Sequence, residues 1–160
     1  MPINTKIHSF VQHIFFHKKK LIPIMEVSME VEVASSLSSE KLFKLYNNYD
    51  TIAPKVNPQS YKSFIVIQGD GGVGSIKSTV YGDGYTYFEG DVFKGITEKA
   101  THHIKFTPSP NGGAVYKHTI IFKYIGDAKL SDEAMNISKE TVKNNFKRME
   151  SYAIAHPEDF

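Results

Sequence analysis

The 160-residue chain has 19 lysines and arginines against 17 aspartates and glutamates, which gives a formal net charge of +2. So small a charge does not favour nucleic-acid binding, and the absence of cysteine excludes disulfides and thiol chemistry. No apolar run is long enough to cross a bilayer. The length predicts one domain with a sizeable hydrophobic core.

Residues 1–24 differ in pattern from the rest of the chain. They contain no acidic residue, three of the seven histidines and the run Lys18-Lys19-Lys20. Lysines interrupt the apolar stretches and no small-residue cleavage site follows, so the segment is not a secretory signal. A membrane-surface helix stays open as an alternative. We expect a disordered extension, with the folded domain at residues 25–160.

The chain has a glycine-rich loop at Gly69, Gly71, Gly72 and Gly74. Runs rich in β-branched and aromatic residues flank it and predict two strands. The glycines match the dinucleotide pattern G-x-G-x-x-G and nearly match a P-loop, but both motifs need a helix directly after them. Because a strand follows, nucleotide binding is disfavoured. A tight hairpin loop with no ligand remains open.

Three helices are predicted from capping residues and apolar spacing. Ser38 caps a short helix, and a second short helix or turn near 50–53 is expected to be stopped by Pro54 and Pro58. Ser131 caps a long helix whose apolar residues recur at three- and four-residue spacing, and Pro157 ends it.

Apolar and polar residues alternate at 25–33, 96–107 and 114–125, which predicts further strands. A Pro-Asn-Gly turn joins the last two, and residues 85–88 form a shorter strand-like piece. The order of elements predicts an α+β fold, in which a curved antiparallel sheet carries its helices on one face.

The long helix has polar residues on the face expected to point inward. Ser138, Thr141 and Asn145 interrupt its apolar stripe beside Val142. A helix that lines a cavity for an amphipathic ligand tolerates such residues better than one on a solid core. The alternative is that they lie at partly exposed edges.

Six segments occur in a fixed order between Met25 and Phe160. They are Leu42-Phe43-Lys44, Pro54-Lys55-Val56-Asn57-Pro58-Gln59, the glycine-rich stretch 69–77, Phe88-Glu89-Gly90-Asp91, Ser138-Lys139-Glu140 and Glu150-Ser151-Tyr152-x-x-Ala155-His156. Together they resemble the plant pathogenesis-related class-ten proteins, the birch-pollen-allergen (Bet v I) family, with the major latex proteins as near relatives. The resemblance implies a helix-grip (START-like) fold. In this fold a seven-stranded antiparallel sheet and two short helices surround a long C-terminal helix and enclose a large cavity.

The chain departs from this family after the glycine-rich loop. Only three residues lie between Tyr81 and Tyr85, where the family has about twenty more, or two strands at ordinary lengths. We therefore expect a sheet shortened to five or six strands and a damaged or shallow pocket.

The resemblance implies a monomeric binding protein for amphipathic small molecules in plant defence or hormone response. Such ligands include abscisic acid, cytokinins, flavonoids and sterols. Abscisic-acid receptors of related fold inhibit protein phosphatases, which makes a phosphatase the implied protein partner. We expect the cytoplasm and the nucleus as locations, and neither a cofactor nor a contact with nucleic acid or membrane. Alternatives are an alkaloid-pathway lyase or isomerase of the norcoclaurine synthase type, and a ribonuclease.

We assign candidate ligand-binding residues but no catalytic residue. Alternation places His102 on the inward face of its strand, either as a ligand contact or as a histidine satisfied by a neighbour. His103 points to the opposite face, so the two cannot converge on a metal with His118. By analogy with the family, Lys77 faces the cavity as an anion or carbonyl anchor, with a solvated lysine as the alternative. The full set is Lys77, Tyr81, Tyr85, Tyr87, His102, Ile104, Phe122, Ser138, Thr141, Val142 and Asn145, beside the four glycines.

Overall fold

The computed structural model describes residues 6–13, 24–70, 76–81 and 96–160. For residues 6–13, 24, 76–81, 98 and 99 it describes the backbone alone. The elements, in chain order, are β1 (Lys6–His13), β2 (Ile24–Ser35), α1 (Ser39–Asn47), α2 (Tyr49–Val56), β3 (Tyr61–Gln68), β4 (Ile76–Tyr81), β5 (Thr97–Pro108), β6 (Ala114–Ile125), α3 (Asp132–Ala155) and a 3₁₀ turn (Pro157–Asp159).

The main sheet has four antiparallel strands in the order β1-β5-β6-β2. Even-numbered side chains of β6 are buried and odd-numbered ones are half-buried along the whole strand. On β5, His102, Ile104 and Phe106 are buried on the same side. The inward faces predicted for both strands are therefore confirmed, because strict alternation fixes the face of every residue once one is known.

The outer face of the sheet carries pairs of opposite charge. Lys117 of β6 lies 2.6 Å from Glu30 and 3.4 Å from Glu32 of β2, and Lys123 lies 3.4 Å from Glu26. These glutamates are the acidic half of the alternating pattern in residues 25–33. Since all are substantially exposed, each pair adds little stability, but the charges mark this face as the one in water.

The three helices pack on the inner face, as expected for an α+β fold. Phe146 of α3 stacks on Tyr116 of β6 with 4.2 Å between ring centroids. Ser38 and Ser131 accept backbone N–H groups at 3.3 and 3.1 Å, which confirms both predicted caps. Within the described residues no helix combines the length and apolar character needed to cross a bilayer.

The second helix does end before Pro58, as expected, but the expected stop at Pro54 is wrong. α2 continues for two residues beyond Pro54, and Asn57 closes its last turn by donating its backbone N–H to Ala53 at 2.9 Å. That bond does not involve the missing N–H of Pro54, so the proline removes one hydrogen bond without ending the helix.

The expectation of disorder throughout residues 1–24 is wrong for Lys6–His13. This segment is β1, which pairs with β5 from Lys6 opposite Phe106 to His13 opposite Lys99. Without β1, the outer edge of β5 would present unpaired backbone groups within the described residues. The extended segment Lys6–His13 forms hydrogen bonds with these backbone groups of β5.

The structure describes six strands, the higher of the two numbers predicted, but they form two sheets instead of one. β3 and β4 make a separate antiparallel pair. The first residue of β3, Tyr61, is buried, whereas Ile65, Val66 and Ile67 are 55%, 45% and 63% exposed. The far half of this ribbon therefore lies away from the core.

Candidate ligand-binding site

Two buried histidines lie side by side on the inner face of the sheet. His102 Nδ1 of β5 and His118 Nε2 of β6 are 3.0 Å apart. The strand register pairs His102 with Ile120 and His118 with Ile104, so the imidazoles meet on the diagonal. His102 is thus a histidine satisfied by a neighbour, which was one of the two possibilities predicted for it.

A chain of hydroxyls continues from the histidine pair toward α1. The hydroxyl of Tyr116 lies 2.8 Å from His118 Nδ1 and also hydrogen-bonds the hydroxyl of Tyr46 on α1. We assign the Tyr116 O–H as the donor to His118, because phenols are the better donors and imidazole nitrogens the better acceptors. His118 then keeps its proton on Nε2 and donates it to His102.

Burial keeps every member of this chain uncharged. Desolvation lowers the pKa of His102 to about 4, with a smaller effect from His103. Burial also lowers the pKa of His118, and the neighbouring His102 lowers it further. It raises the pKa values of Tyr46 and Tyr116. At neutral pH the inner face of the sheet therefore offers polar but neutral groups.

The three polar residues on the inner face of α3 have different surroundings. Thr141 donates to the carbonyl of Ile137 within the helix at 2.9 Å, and half-buried Asn145 donates to the hydroxyl of Tyr61 at 3.2 Å. Ser138 is 1% exposed, and its hydroxyl has no hydrogen-bond partner among the described residues. Of the three, Ser138 alone leaves its hydroxyl unpaired within the described part of the chain.

The apolar candidates are buried in the core. Ile104, Phe122 and Val142 are buried at 9%, 1% and 5% exposure on β5, β6 and α3. They belong to one core cluster that spans the sheet and the helix. An apolar ligand body would be recognised by such side chains, with the polar groups fixing its orientation.

The remaining candidates are described in part or not at all. The backbone places Lys77 opposite Val66 and Tyr81 opposite Tyr61, but the side chains of Lys77 and Tyr81 lie outside the described part. Gly69 has a φ of 96°, a conformation that favours glycine in a tight turn. Five candidates fall outside the described residues altogether: Tyr85, Tyr87, Gly71, Gly72 and Gly74.

His118, Tyr116 and Tyr46 are not among the candidate residues named from the sequence, although they complete the buried chain. The position of His118 could have been predicted from the turn at 109–113, because this turn fixes the register between β5 and β6. Counting outward from the pair Pro108 and Ala114 places His118 diagonal to His102. Within the described residues no group of three His, Asp or Glu side chains could hold a metal ion.

Comparison with known proteins gives the family. The root allergen protein of Taraxacum officinale is 49% identical over 151 residues, which cover 81% of this chain and 96% of that protein. The chain belongs to the Bet v I family. Pathogenesis-related protein B of Petroselinum crispum is 35% identical, over 79% of this chain and 96% of that protein. No family model matches the chain.

The solved structures agree with this assignment. Ara h 8.0201 matches with a TM-score of 0.68 and 26% identity, over 82% of this chain and 99% of that one. The helix-grip fold predicted from the sequence motifs is therefore confirmed. Family membership supports a general ligand-binding role in plant defence.

The alignment with the root allergen also measures what this Bet v I protein lacks. It spans 151 positions but uses 81% of 160 residues, or about 130 residues, so about 21 positions of the relative have no counterpart here. That difference agrees in size with the segment predicted to be missing.

Proposed function

We propose that this Bet v I protein binds an amphipathic small molecule, such as a cytokinin, a flavonoid or a sterol, between its sheet and α3. Its role would lie in plant defence or hormone response. The observation that carries the proposal is the Ser138 hydroxyl, which is buried without a partner among the described residues. Native proteins rarely leave such a group unsatisfied unless it serves a ligand or an ordered water.

The histidine pair favours binding over the two enzymatic alternatives. A general base works best when its pKa lies near the operating pH. Burial holds the pKa of His102 at about 4, so this imidazole is a weak base at neutral pH. A lyase or a ribonuclease would need a stronger base than this buried pair supplies.

The binding proposal is tested by fluorescence with N-phenyl-1-naphthylamine, an uncharged probe that brightens in apolar surroundings. The full chain should enhance its emission in a saturable manner, and a flavonoid or a cytokinin should displace it. A protein that folds cooperatively but does not enhance the probe would refute the proposed function. Heat-unfolded protein is the control for non-specific enhancement.

A further inference from the structure

Three consecutive apolar residues near the end of β3 are exposed to solvent. They are Ile65, Val66 and Ile67, and we call these three residues the β3 tip. The other large apolar residues exposed to this degree in the described part of the chain, Met25 and Ile154, occur singly. Single exposed apolar residues are ordinary on a protein surface, whereas a contiguous group marks a contact site.

The first half of β3 holds the tip in place. Tyr61 is buried, and Phe64 stacks on it with 6.0 Å between ring centroids. Phe64 also meets the ring of Tyr49 on α2 edge-on at 5.8 Å. The tip therefore continues from an anchored strand. A partner would bind a preformed surface, so little conformational entropy would be lost on association.

β3 also has a backbone edge that no described strand covers. It pairs with β4 on one side, and in the described part of the chain nothing pairs with its other side. The N–H and C=O groups of such an edge can hydrogen-bond another extended strand. Ile65 and Val66 point to opposite faces of the ribbon, because successive residues of a strand alternate. A strand added at the edge would cover apolar groups on both faces, whereas a partner docked on one face would cover half of them.

The charges on either side of the tip favour a second copy of this chain as the added strand. Lys62 lies four residues before Val66 and Asp70 lies four residues after it, and both are exposed. In an antiparallel pair centred on Val66, each Lys62 lies at the end where the other copy has Asp70. The same arrangement brings Ile65 beside Ile67 of the other copy. A parallel pair in register would instead place like charges opposite each other, which is unfavourable.

We propose that the β3 tip is a self-association surface, through which two copies of this chain form an antiparallel β3–β3 dimer centred on Val66. The regular part of the edge is short, because the pairing with β4 is irregular between Tyr61 and Ser63 and between Val66 and Gln68. The interface therefore belongs to the small, weakly associating class, and the monomer implied by the family resemblance is the state at low concentration. The dimer does not depend on ligand binding and goes beyond the proposed function.

Sedimentation equilibrium of the full chain tests the dimer. From about 10 to 500 µM the protein should show a reversible monomer–dimer equilibrium. Val66→Lys places two like charges opposite each other at the centre of the interface, so it should weaken association about tenfold or more. Ile154→Lys makes the same change at an exposed apolar residue of α3. This variant is the matched control and should associate like the wild type.

A charge exchange tests whether the two copies meet at Val66. Val66→Glu should weaken association as Val66→Lys does. A mixture of the two variants should form a dimer again, because opposite charges then face each other across the interface. Both variants should melt like the wild type, since Val66 is exposed in the single chain.

Disulfide formation gives a second measure of the arrangement, because the chain has no cysteine of its own. Opposite residues of an antiparallel pair have Cα atoms about 4.5–5.5 Å apart, which suits a disulfide. Val66→Cys should therefore link two copies under mild oxidation. Lys62→Cys is the control and should stay unlinked, because its two copies would lie eight residues apart along the strands, or about 26 Å.

Three results would overturn the inference. A wild-type chain that sediments as a monomer over the whole concentration range would refute self-association. A dimer that Val66→Lys leaves intact, or that Ile154→Lys weakens equally, would refute this surface. A mixture of the two charged variants that stays monomeric, or equal linking by Val66→Cys and Lys62→Cys, would refute the antiparallel arrangement centred on Val66.

Discussion

The carboxylate of Glu150 on α3 accepts a hydrogen bond from the hydroxyl of Ser35 at the end of β2, with 2.5 Å between the two oxygens. Glu150 Oε1 also accepts the backbone N–H of Ser36 at 3.1 Å, and Oε2 accepts Lys147 Nζ at 2.7 Å. Lys147 donates in addition to the carbonyl of Ala34 at 2.9 Å. These bonds fix the C-terminal part of α3 to the sheet at one end of the proposed ligand site.

Replacing Glu150 with glutamine should destabilise the protein by about 2 kcal/mol, because hydrogen bonds to a charged acceptor are lost in a buried position. The Glu150 side chain is only 8% exposed, so water cannot restore them. Urea unfolding measures the change. Glu158→Gln, an exposed position in the 3₁₀ turn, is the control. Equal stability of the two variants would show that the Ser35 contact is not stabilising.

Stability should fall as the pH is lowered from about 6.5 to about 4. The unfolded chain takes up a proton on His102 near its ordinary pKa of 6.5, whereas the folded protein resists protonation until about 4. The unfolded state therefore binds more protons in this interval, and His102 alone accounts for a loss of about 3 kcal/mol.

Urea unfolding at several pH values measures this slope. His102→Leu/His118→Leu should flatten it. A slope that persists in the double variant would contradict the assignment to the buried pair.

The Glu150 carboxyl should act in a lower pH range. Burial tends to raise its pKa, but hydrogen bonds from Lys147 and Ser35 outweigh that effect and lower it below 4.5. Its stabilisation is present above the ordinary value and is lost as the pH falls through the lowered pKa. Glu150→Gln should therefore flatten the stability curve as the pH falls below 4.5.

Removing β1 should lower the melting temperature. Deletion of residues 2–13 uncovers the edge of β5 and should cost about 2 kcal/mol, or about 4–8 °C in a domain of this size. Deletion of residues 2–5, which stops short of β1, is the control. If the two deletions melt alike, β1 contributes nothing and the extension is as dispensable as its composition predicts.

Gly113→Ala should destabilise more than Gly112→Ala, although the two glycines are neighbours in one turn. A Cβ on Gly113 would overlap the backbone carbonyl of Ser35, so strand ends must move apart at a cost of about 3 kcal/mol. Gly112 faces open space, and its φ of +85° costs alanine only about 1 kcal/mol. Equal losses in chemical denaturation would contradict the close approach.

The parts of the fold that were predicted correctly depend on neighbours in sequence. Alternation in β5 and β6 identified His102, Ile104 and Phe122 as inward-facing, and the cap at Ser131 located the start of α3. These signals need no knowledge of distant partners, because period and capping act within a few residues.

The parts that were missed depend on contacts far along the chain. The local pattern of residues 6–13 does not indicate a strand, since their apolar residues do not alternate. β1 forms because the edge of β5 provides unpaired backbone groups with which it can hydrogen-bond. To predict the partner of His102, one needs the register between β5 and β6 in addition to the face on which each residue lies. Ser138 lacks a partner among the described residues, whereas Asn145 hydrogen-bonds Tyr61. This difference depends on how α3 packs against the sheet, which the sequence of the helix alone does not give.

β1 and its partner strand β5 are far apart in sequence, so the ribosome synthesises them at different times. Lys6 emerges from the ribosome 100 residues before its partner Phe106, an interval of roughly 5–20 s at ordinary rates of synthesis. During that time β1 has no partner strand, while β2, α1, α2, β3 and β4 are synthesised. β1 can therefore pair only after β5 has been translated, so a chain stalled before that point would leave β1 unpaired.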